Sequence, residues 1–270
     1  MATSDRRRAA PGPQRAYVLH SYDWSESSLI LDLYTRDEGR QVVVAKGAKR
    51  PYSQLRAVLL PFQAVLVQLS RPASSARESS SSEEVRTLRT AEWAAGAGVL
   101  GGQRLFSGFY LNELLMKFLP RGEPHTELFD VYQGTLQALS QCSDEDDARL
   151  QSLLRAFELH LLREVGFLPD LAQETLTGRA LKSEAPYRLV PELGLQPCSA
   201  EDPMALNGQA WVALQAALLA RHGPALEAAA AQARMPLRLG LRSLLQYHLS
   251  GATLRTREVM QDLQKLEPES

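Results

Sequence analysis

The spacing of apolar residues changes once along the chain, near Trp93. Before that point short apolar runs alternate with polar positions, which is typical of β-strands. Five such runs are present: Ala16–Tyr22, Ser28–Thr35, Arg40–Lys46, Val58–Leu69 and Val85–Glu92. Short strands joined by turns over so brief a region favour a small closed barrel, which we place at residues 15–92.

Beyond Trp93 apolar residues recur every three or four positions, which predicts helices. The clearest stripe consists of Leu150, Leu153, Leu154, Phe157, Leu161, Leu162 and Val165. Further helices are predicted at Leu105–Phe118, Gly208–Arg221, Ala225–Ala233, Pro236–Leu249 and Thr256–Leu266. Residues 169–203 are irregular, with a short hairpin around Tyr187–Leu195. The predicted fold class is α+β: a five-stranded barrel followed by an all-helical bundle at 93–270.

Two segments lack the apolar residues that would offset the entropy of ordering them. Residues 1–14 are rich in Arg, Ala and Pro, and we interpret them as a disordered tail. Residues 71–84 surround the run Ser79–Ser82 between the fourth and fifth strands. We interpret them as a flexible hairpin insertion.

Positive charge is concentrated on the predicted barrel, although the formal net charge of the protein is only -1. No acidic residue occurs from Gly39 to Arg77, a stretch that contains Arg40, Lys46, Lys49, Arg50, Arg56, Arg71 and Arg77. Tyr52 lies in the same loop as Lys49 and Arg50. Cations can follow a nucleic-acid backbone while an aromatic ring stacks on a base. A solvated loop that keeps a sheet edge soluble is an equally available interpretation.

No constellation of residues indicates catalysis, a metal or a cofactor. Cys142 and Cys198 are far apart and form no CxxC pair. Gly96, Gly98 and Gly101 match a dinucleotide-loop spacing, but the surrounding βαβ unit is missing, so we interpret them as a linker. His160 and Glu164 lie one turn apart without a second pair, which favours a solvated helix face. We therefore expect a protein that is not an enzyme.

The predicted helices also carry arginines of undecided role. Arg155 lies off the apolar stripe of its helix, and Arg234, Arg238 and Arg242 are spaced by four. They are either ordinary surface side chains or part of a binding site for a negatively charged partner. The chain has no signal-peptide core and no apolar run of about 20 residues, so we expect a cytoplasmic protein without membrane contact.

Several blocks along the chain closely resemble the bacterial RecO family of DNA repair proteins. They are Arg15–Ser21, Trp24–Leu29, Thr35–Gly39, Val44–Arg50, Leu60–Phe62, Tyr110–Leu115, Leu128–Phe129, Phe157–Leu159 and Leu254–Glu258. The block around Lys46, with the sequence V-A-K-G-A-K, is the most specific. The resemblance spans nearly the whole chain after the tail.

The resemblance implies an N-terminal OB-fold, a helical domain and a non-catalytic recombination mediator. Proteins of this family bind single- and double-stranded DNA, anneal complementary strands and help place RecA on strands coated by single-stranded-DNA-binding protein (SSB). They work with RecR and, in many bacteria, RecF. Because they act on DNA, the resemblance also implies a location at the nucleoid. By motif position the candidate DNA contacts are Arg40, Lys46, Lys49, Arg50 and Arg56, and Tyr52, from the residue pattern above, completes the candidate DNA-binding set. Arg155 becomes the candidate for the acidic C-terminal tail of SSB, since a guanidinium can bind two carboxylate oxygens.

The chain departs from many relatives in the segment that resembles their four-cysteine zinc module. Only Cys198 lies in that segment, so we expect no zinc, as in the zinc-free branch of the family. Two alternatives stay open: an OB-fold module that binds RNA, and a nucleotide-dependent enzyme based on Gly96, Gly98 and Gly101.

Overall fold

The structure is a computed structural model that describes residues 12–70, 85–96, 98–143, 145–221, 223–251, 253–256 and 258–259. Most of the predicted tail, the predicted insertion 71–84 and most of the predicted helix Thr256–Leu266 lie outside these residues. The chain divides into two compact units. One comprises Met1–Ala97 and Pro120–Thr126, and the other comprises Gly98–Leu119 and Glu127–Ser270.

The first unit is a closed five-stranded barrel, as predicted. Its strands are β1 (Gln14–Asp23), β2 (Leu29–Thr35), β3 (Gly39–Ala45), β4 (Val65–Leu69) and β5 (Arg86–Trp93). Their order around the barrel is β1-β2-β3-β5-β4, with β3 and β5 parallel and the other neighbours antiparallel. This is the arrangement of an OB-fold. The predicted fourth strand begins later than expected, because Val58 ends a short helix, α1 (Gln54–Val58).

The barrel interior is filled by alternate residues of all five strands. The buried cluster contains Ala16, Val18, Leu31, Leu33, Val43, Ala45, Ala48, Leu59, Val65, Val67, Leu69 and Leu88. Burying one such Val or Leu side chain contributes about 1.5–3 kcal/mol. A one-residue slip of a strand would turn its apolar set outward, so this alternation fixes the register and thereby the position of every loop.

The segment Pro120–Thr126 returns from the helical sequence to pack on the barrel. The Gly122 N–H donates to the Arg40 carbonyl at 2.8 Å, and the Tyr34 hydroxyl donates to the His125 carbonyl at 3.1 Å. Gly39 has a φ of 69°, and a Cβ there would lie 1.8 Å from the Glu123 carbonyl oxygen. Glycine is therefore required at position 39 both for its backbone conformation and for close approach.

The second unit is mainly helical. Its helices are α2 (Gly102–Phe118), α3 (Thr126–Gln141), α4 (Asp147–Glu164), α5 (Gly208–Leu219) and α6 (Gly223–His248). On α4 the predicted stripe is buried up to Leu162, and Val165 caps the end of the helix. Helix α3 was not predicted from the sequence, although its buried residues Leu128, Phe129, Tyr132 and Leu136 follow helical spacing.

Two predicted helices, Ala225–Ala233 and Pro236–Leu249, form the single run α6 with a break at Arg234. Arg234 has φ 35° and ψ -119°, which are not helical values. Pro236 explains the break, because proline lacks an N–H and its ring clashes with the carbonyl four residues earlier. Arg234, Arg238 and Arg242 therefore do not lie on one uninterrupted helix face.

The second unit also contains a small sheet, which corrects the prediction of an all-helical bundle. Strands β6 (Pro186–Val190), β7 (Gly194–Pro197) and β8 (Leu206–Asn207) lie in the order β7-β6-β8, and β6–β7 is the expected hairpin. The buried indole of Trp211 donates to the Tyr187 carbonyl at 3.2 Å, which ties the sheet to α5. Within the described ranges, no three His, Cys, Asp or Glu residues are placed to hold a metal ion. None of the helices so described is long and apolar enough to cross a bilayer.

Candidate nucleic-acid interface and arginine groove

Two loops meet at one end of the barrel, which we call the loop end. Asp23 at the end of β1 pairs with Leu29 of β2, and Leu29 pairs with Ala45 at the end of β3. The β1–β2 turn (residues 24–28) and the loop that follows β3 (residues 46–53) are therefore neighbours. OB-folds bind oligonucleotides on the face of strands 2 and 3 and on the loops beside it, including the turn between strands 1 and 2.

Three of the predicted DNA contacts are exposed cations at or beside this end. Lys46 and Arg50 lie in the loop after β3, and Arg56 lies on α1. In the part of the chain that the structure describes, none of these three side chains pairs with a carboxylate. Tyr52, in the same loop, is 99% exposed. These charges are available to an external anion.

Lys49 fastens the two loops together. Its ammonium lies 3.0 Å from an Asp23 carboxylate oxygen and donates to the Ser25 carbonyl at 3.2 Å. Its backbone N–H donates to the Ser27 carbonyl at 3.0 Å. Part of its charge is therefore already balanced, and its main contribution is to fix the position of the β1–β2 turn.

Arg40 differs from the other predicted contacts because its side chain is only 8% exposed. Its Nε and Nη2 donate to the two oxygens of Asp32 at 3.2 and 2.6 Å. The two strands place these residues diagonally, since Asp32 pairs with Val42 and Arg40 with Tyr34. A contact between Arg40 and DNA stays a prediction, but its guanidinium is already paired with the Asp32 carboxylate and is largely shielded from solvent.

The loop end also carries exposed aromatic side chains that were not among the predicted contacts. Trp24 is 65% exposed in the β1–β2 turn, and Tyr22 is half exposed at the end of β1. The Tyr22 ring packs edge-on against His20, with centroids 4.4 Å apart. The sequence offered one indication of this surface: Tyr22 and Trp24 lie beside the serine-rich turn at residues 25–28.

The second unit contains a groove of about 670 Å³ between α4 and α6, which we call the arginine groove. Its cationic lining residues are Arg149, Arg155, Arg234 and Arg238, and its apolar lining includes Pro224, Ala230, Ala231 and Met235. Of the arginines whose role the sequence left undecided, Arg155, Arg234 and Arg238 share this groove. Arg242 is not among its lining residues.

Arg155 is held in place by a buried carboxylate. Its Nη2 lies 2.7 Å from Glu158 Oε1, and the Tyr110 hydroxyl donates to the same oxygen at 2.6 Å. The Arg155 side chain is 11% exposed and that of Glu158 is fully buried. A guanidinium fixed from behind loses little conformational entropy when it binds a carboxylate. An apolar groove with such an arginine fits an acidic peptide.

A second groove, of about 740 Å³, lies against α3 and α4 in the same unit and includes His160. Burial, with the charge of Arg163 as a smaller cause, lowers the pKa of His160 to about 4. The His160 side chain is half-buried, which corrects the expectation of a solvated helix face, although Glu164 is exposed. Gly96, Gly98 and Gly101 lie in the non-helical stretch before α2, as expected for a linker.

Comparison with known proteins assigns both units to one family. Residues 13–90 match the family Recombination protein O N terminal, and residues 101–258 match Recombination protein O C terminal. The chain is similar to the DNA repair protein RecO of Acidovorax ebreus, with 47% identity over 96% of this chain and 99% of the relative. A RecO of Variovorax paradoxus is 48% identical over 93% of this chain and 96% of its own. The barrel, the helical unit and these matches agree, and the chain belongs to the RecO family.

Proposed function

We propose that the protein is a non-catalytic mediator of DNA repair that binds single- and double-stranded DNA, anneals complementary strands and helps load RecA onto SSB-coated strands. One observation carries the DNA-binding part: Lys46 and Arg50 are exposed, have no carboxylate partner among the described residues, and share the loop after β3 with the fully exposed Tyr52. Membership of the RecO family supports the role in repair, because the relatives bear the name DNA repair protein.

Annealing follows from the same charges. Lys46, Arg50 and Arg56 bind phosphates of one strand and lower the repulsion that a second strand meets. Release of counterions makes such binding salt-dependent, with log K falling by about 0.7 per neutralised phosphate of a single strand. No covalent step is needed, since the two strands pair by themselves once they are held together.

The arginine groove supports a second part of the proposal, recruitment by the acidic C-terminal tail of SSB. Arg155, Arg234 and Arg238 supply positive charge beside an apolar floor that includes Met235. Binding at the groove raises the local concentration of the barrel on covered strands. RecR, with RecF where it takes part, then joins at the nucleoid, and the strand passes to RecA.

A double dissociation tests both parts. Reversal of the three charges unpaired among the described residues (Lys46→Glu, Arg50→Glu and Arg56→Glu) should weaken binding of a single-stranded oligonucleotide and reduce the slope of log K against log salt by about 2, as expected for three lost contacts. Arg155→Ala should instead lower affinity for a peptide of the SSB tail and leave binding of bare DNA intact.

The matched control reverses three exposed cations of the helical unit (Lys117→Glu, Arg179→Glu and Lys182→Glu), which changes the net charge equally. An equal loss of DNA binding in both triple variants would overturn the placement of the interface. If Arg155→Ala affected both ligands or neither, the assigned division between barrel and groove would be wrong. Tighter binding of an RNA than of a DNA oligomer of the same sequence would favour the RNA-binding alternative.

A further inference from the structure

Trp24 combines a fixed backbone with an exposed ring. The N–H groups of Trp24 and Ser25 both donate to the Ser28 carbonyl, at 3.2 and 3.4 Å, and the Ser28 N–H donates to Ser25 Oγ at 3.2 Å. These bonds close the β1–β2 turn upon itself. The indole ring nevertheless remains 65% exposed, so a large apolar side chain is held in solvent on a rigid turn.

A cation of the neighbouring loop lies beside the turn that carries this ring. The Lys49 ammonium contacts Asp23 and the Ser25 carbonyl, the residues on either side of Trp24 in the sequence. Lys46 and Arg50 lie in the same loop as Lys49, and Tyr52 follows them. The surroundings of Trp24 are thus charged and polar, unlike the continuous apolar patch that marks a protein–protein interface.

We propose that Trp24 stacks on an unpaired nucleobase while the cations of the adjacent loop bind the phosphates beside that base. The proposal rests on the DNA-binding role of the loop end and adds a basis for selectivity. In a duplex each base face is covered by its neighbours, whereas a single strand can offer a free face to the indole. Trp24 therefore makes the barrel prefer single strands over duplexes.

Rigidity of the turn strengthens the interaction. Because the turn is closed by its own hydrogen bonds and fastened by Lys49, little loop entropy is lost when a base docks. Stacking does not read base identity, since every base has a π-face, so the preference is for strandedness and not for sequence.

Trp93 provides a matched control within the same unit. It is 62% exposed, close to the exposure of Trp24. It lies on β5, outside the β1–β2 turn and outside the loop that Lys49 fastens to that turn.

The experiment measures binding of the full chain to three probes at one salt concentration: a 30-nucleotide oligothymidylate, an abasic oligomer with the same number of phosphates, and a 30-base-pair duplex. Trp24→Ala should weaken binding of oligothymidylate by about 5- to 150-fold, the loss expected for one stacked base. Its affinities for the abasic oligomer and the duplex should not change. Trp24→Phe should retain most of the preference, and Trp93→Ala should match the unaltered protein.

Each other outcome is decisive. Equal effects of Trp24→Ala and Trp93→Ala, or an equal loss on oligothymidylate and the abasic oligomer, would overturn the stacking role while the phosphate contacts remain. If the unaltered protein bound none of the probes, the proposed function would fail together with this inference. A thermal melt of each variant checks that the exposed position tolerates the change.

Discussion

The loop end and the arginine groove both gather cations, but they hold them differently. At the loop end, Lys46, Arg50 and Arg56 extend into solvent without carboxylate partners among the described residues. In the groove, Arg155 is backed by buried Glu158, and Arg149 lies 3.2 Å from Glu227. Loose cations suit a polyanion that can slide, whereas a fixed guanidinium suits a ligand with one defined carboxylate geometry.

The largest expected effect comes from removing the carboxylate behind Arg155. Glu158→Ala leaves the largely buried Arg155 and the Tyr110 hydroxyl without their shared acceptor. Breaking a buried ion pair from one side costs about 3–5 kcal/mol, and we expect the lower end because Arg155 can turn into the groove. Denaturant unfolding measures the free energy. If the groove were as loosely built as the loop end, the loss would be near zero.

A matched control for this change is Glu127→Ala. Glu127 pairs with Arg221 at 2.7 Å, but both side chains are more than half exposed. Such surface pairs contribute about 0–1 kcal/mol. Similar losses for Glu158→Ala and Glu127→Ala would show that burial does not distinguish the two pairs.

An intermediate effect concerns pH. The pKa of His160 falls to about 4 on folding, chiefly through burial, from an ordinary value near 6.5. The unfolded chain therefore binds the His160 proton more readily than the folded chain. The free energy of unfolding is unaffected by this histidine above about pH 6.5 and decreases as pH falls from there towards 4. The loss is at most about 3 kcal/mol.

Unfolding curves collected between pH 7 and pH 4 measure this contribution. His160→Gln should flatten the decline, while His20→Gln, which alters an exposed histidine of the barrel, should leave it unchanged. An identical decline in all three proteins would rule out His160 as its source.

The smallest expected effect is a change in DNA affinity when the carboxylate that pairs with Lys49 at the loop end is neutralised. Asp23 is exposed and holds the Lys49 ammonium at 3.0 Å, so under the proposed function it would compete with DNA phosphates for this cation. Asp23→Asn should raise affinity for a single-stranded oligonucleotide by about two- to five-fold, consistent with the worth of an exposed pair. Asp37→Asn, in the turn between β2 and β3 at the other end of the barrel, should change nothing. Weaker binding by Asp23→Asn would show that the carboxylate serves mainly to hold the loop.

Sequence periodicity predicted the barrel well because its signal is local. The alternation in β1, β2 and β3 decides which residues point inward, and burial of those residues dominates the energy. The break in α6 was also visible in the sequence, since a proline in the interior of a helical stretch, here Pro236, disrupts the helix. The sheet β6–β8 was predicted only as a hairpin, because β8 is two residues long and pairs with a strand far from it in sequence.

The sequence by itself determined that the first third of the chain is a barrel with concentrated positive charge, and that the rest is mainly helical. Only the tertiary structure decided which charges are available. Arg40 and Lys46 lie six positions apart in the same basic stretch, yet Arg40 is enclosed with Asp32 and Lys46 is exposed. Composition counts both as cations. Their difference depends on a cross-strand neighbour, and such a neighbour exists only once the strands have paired.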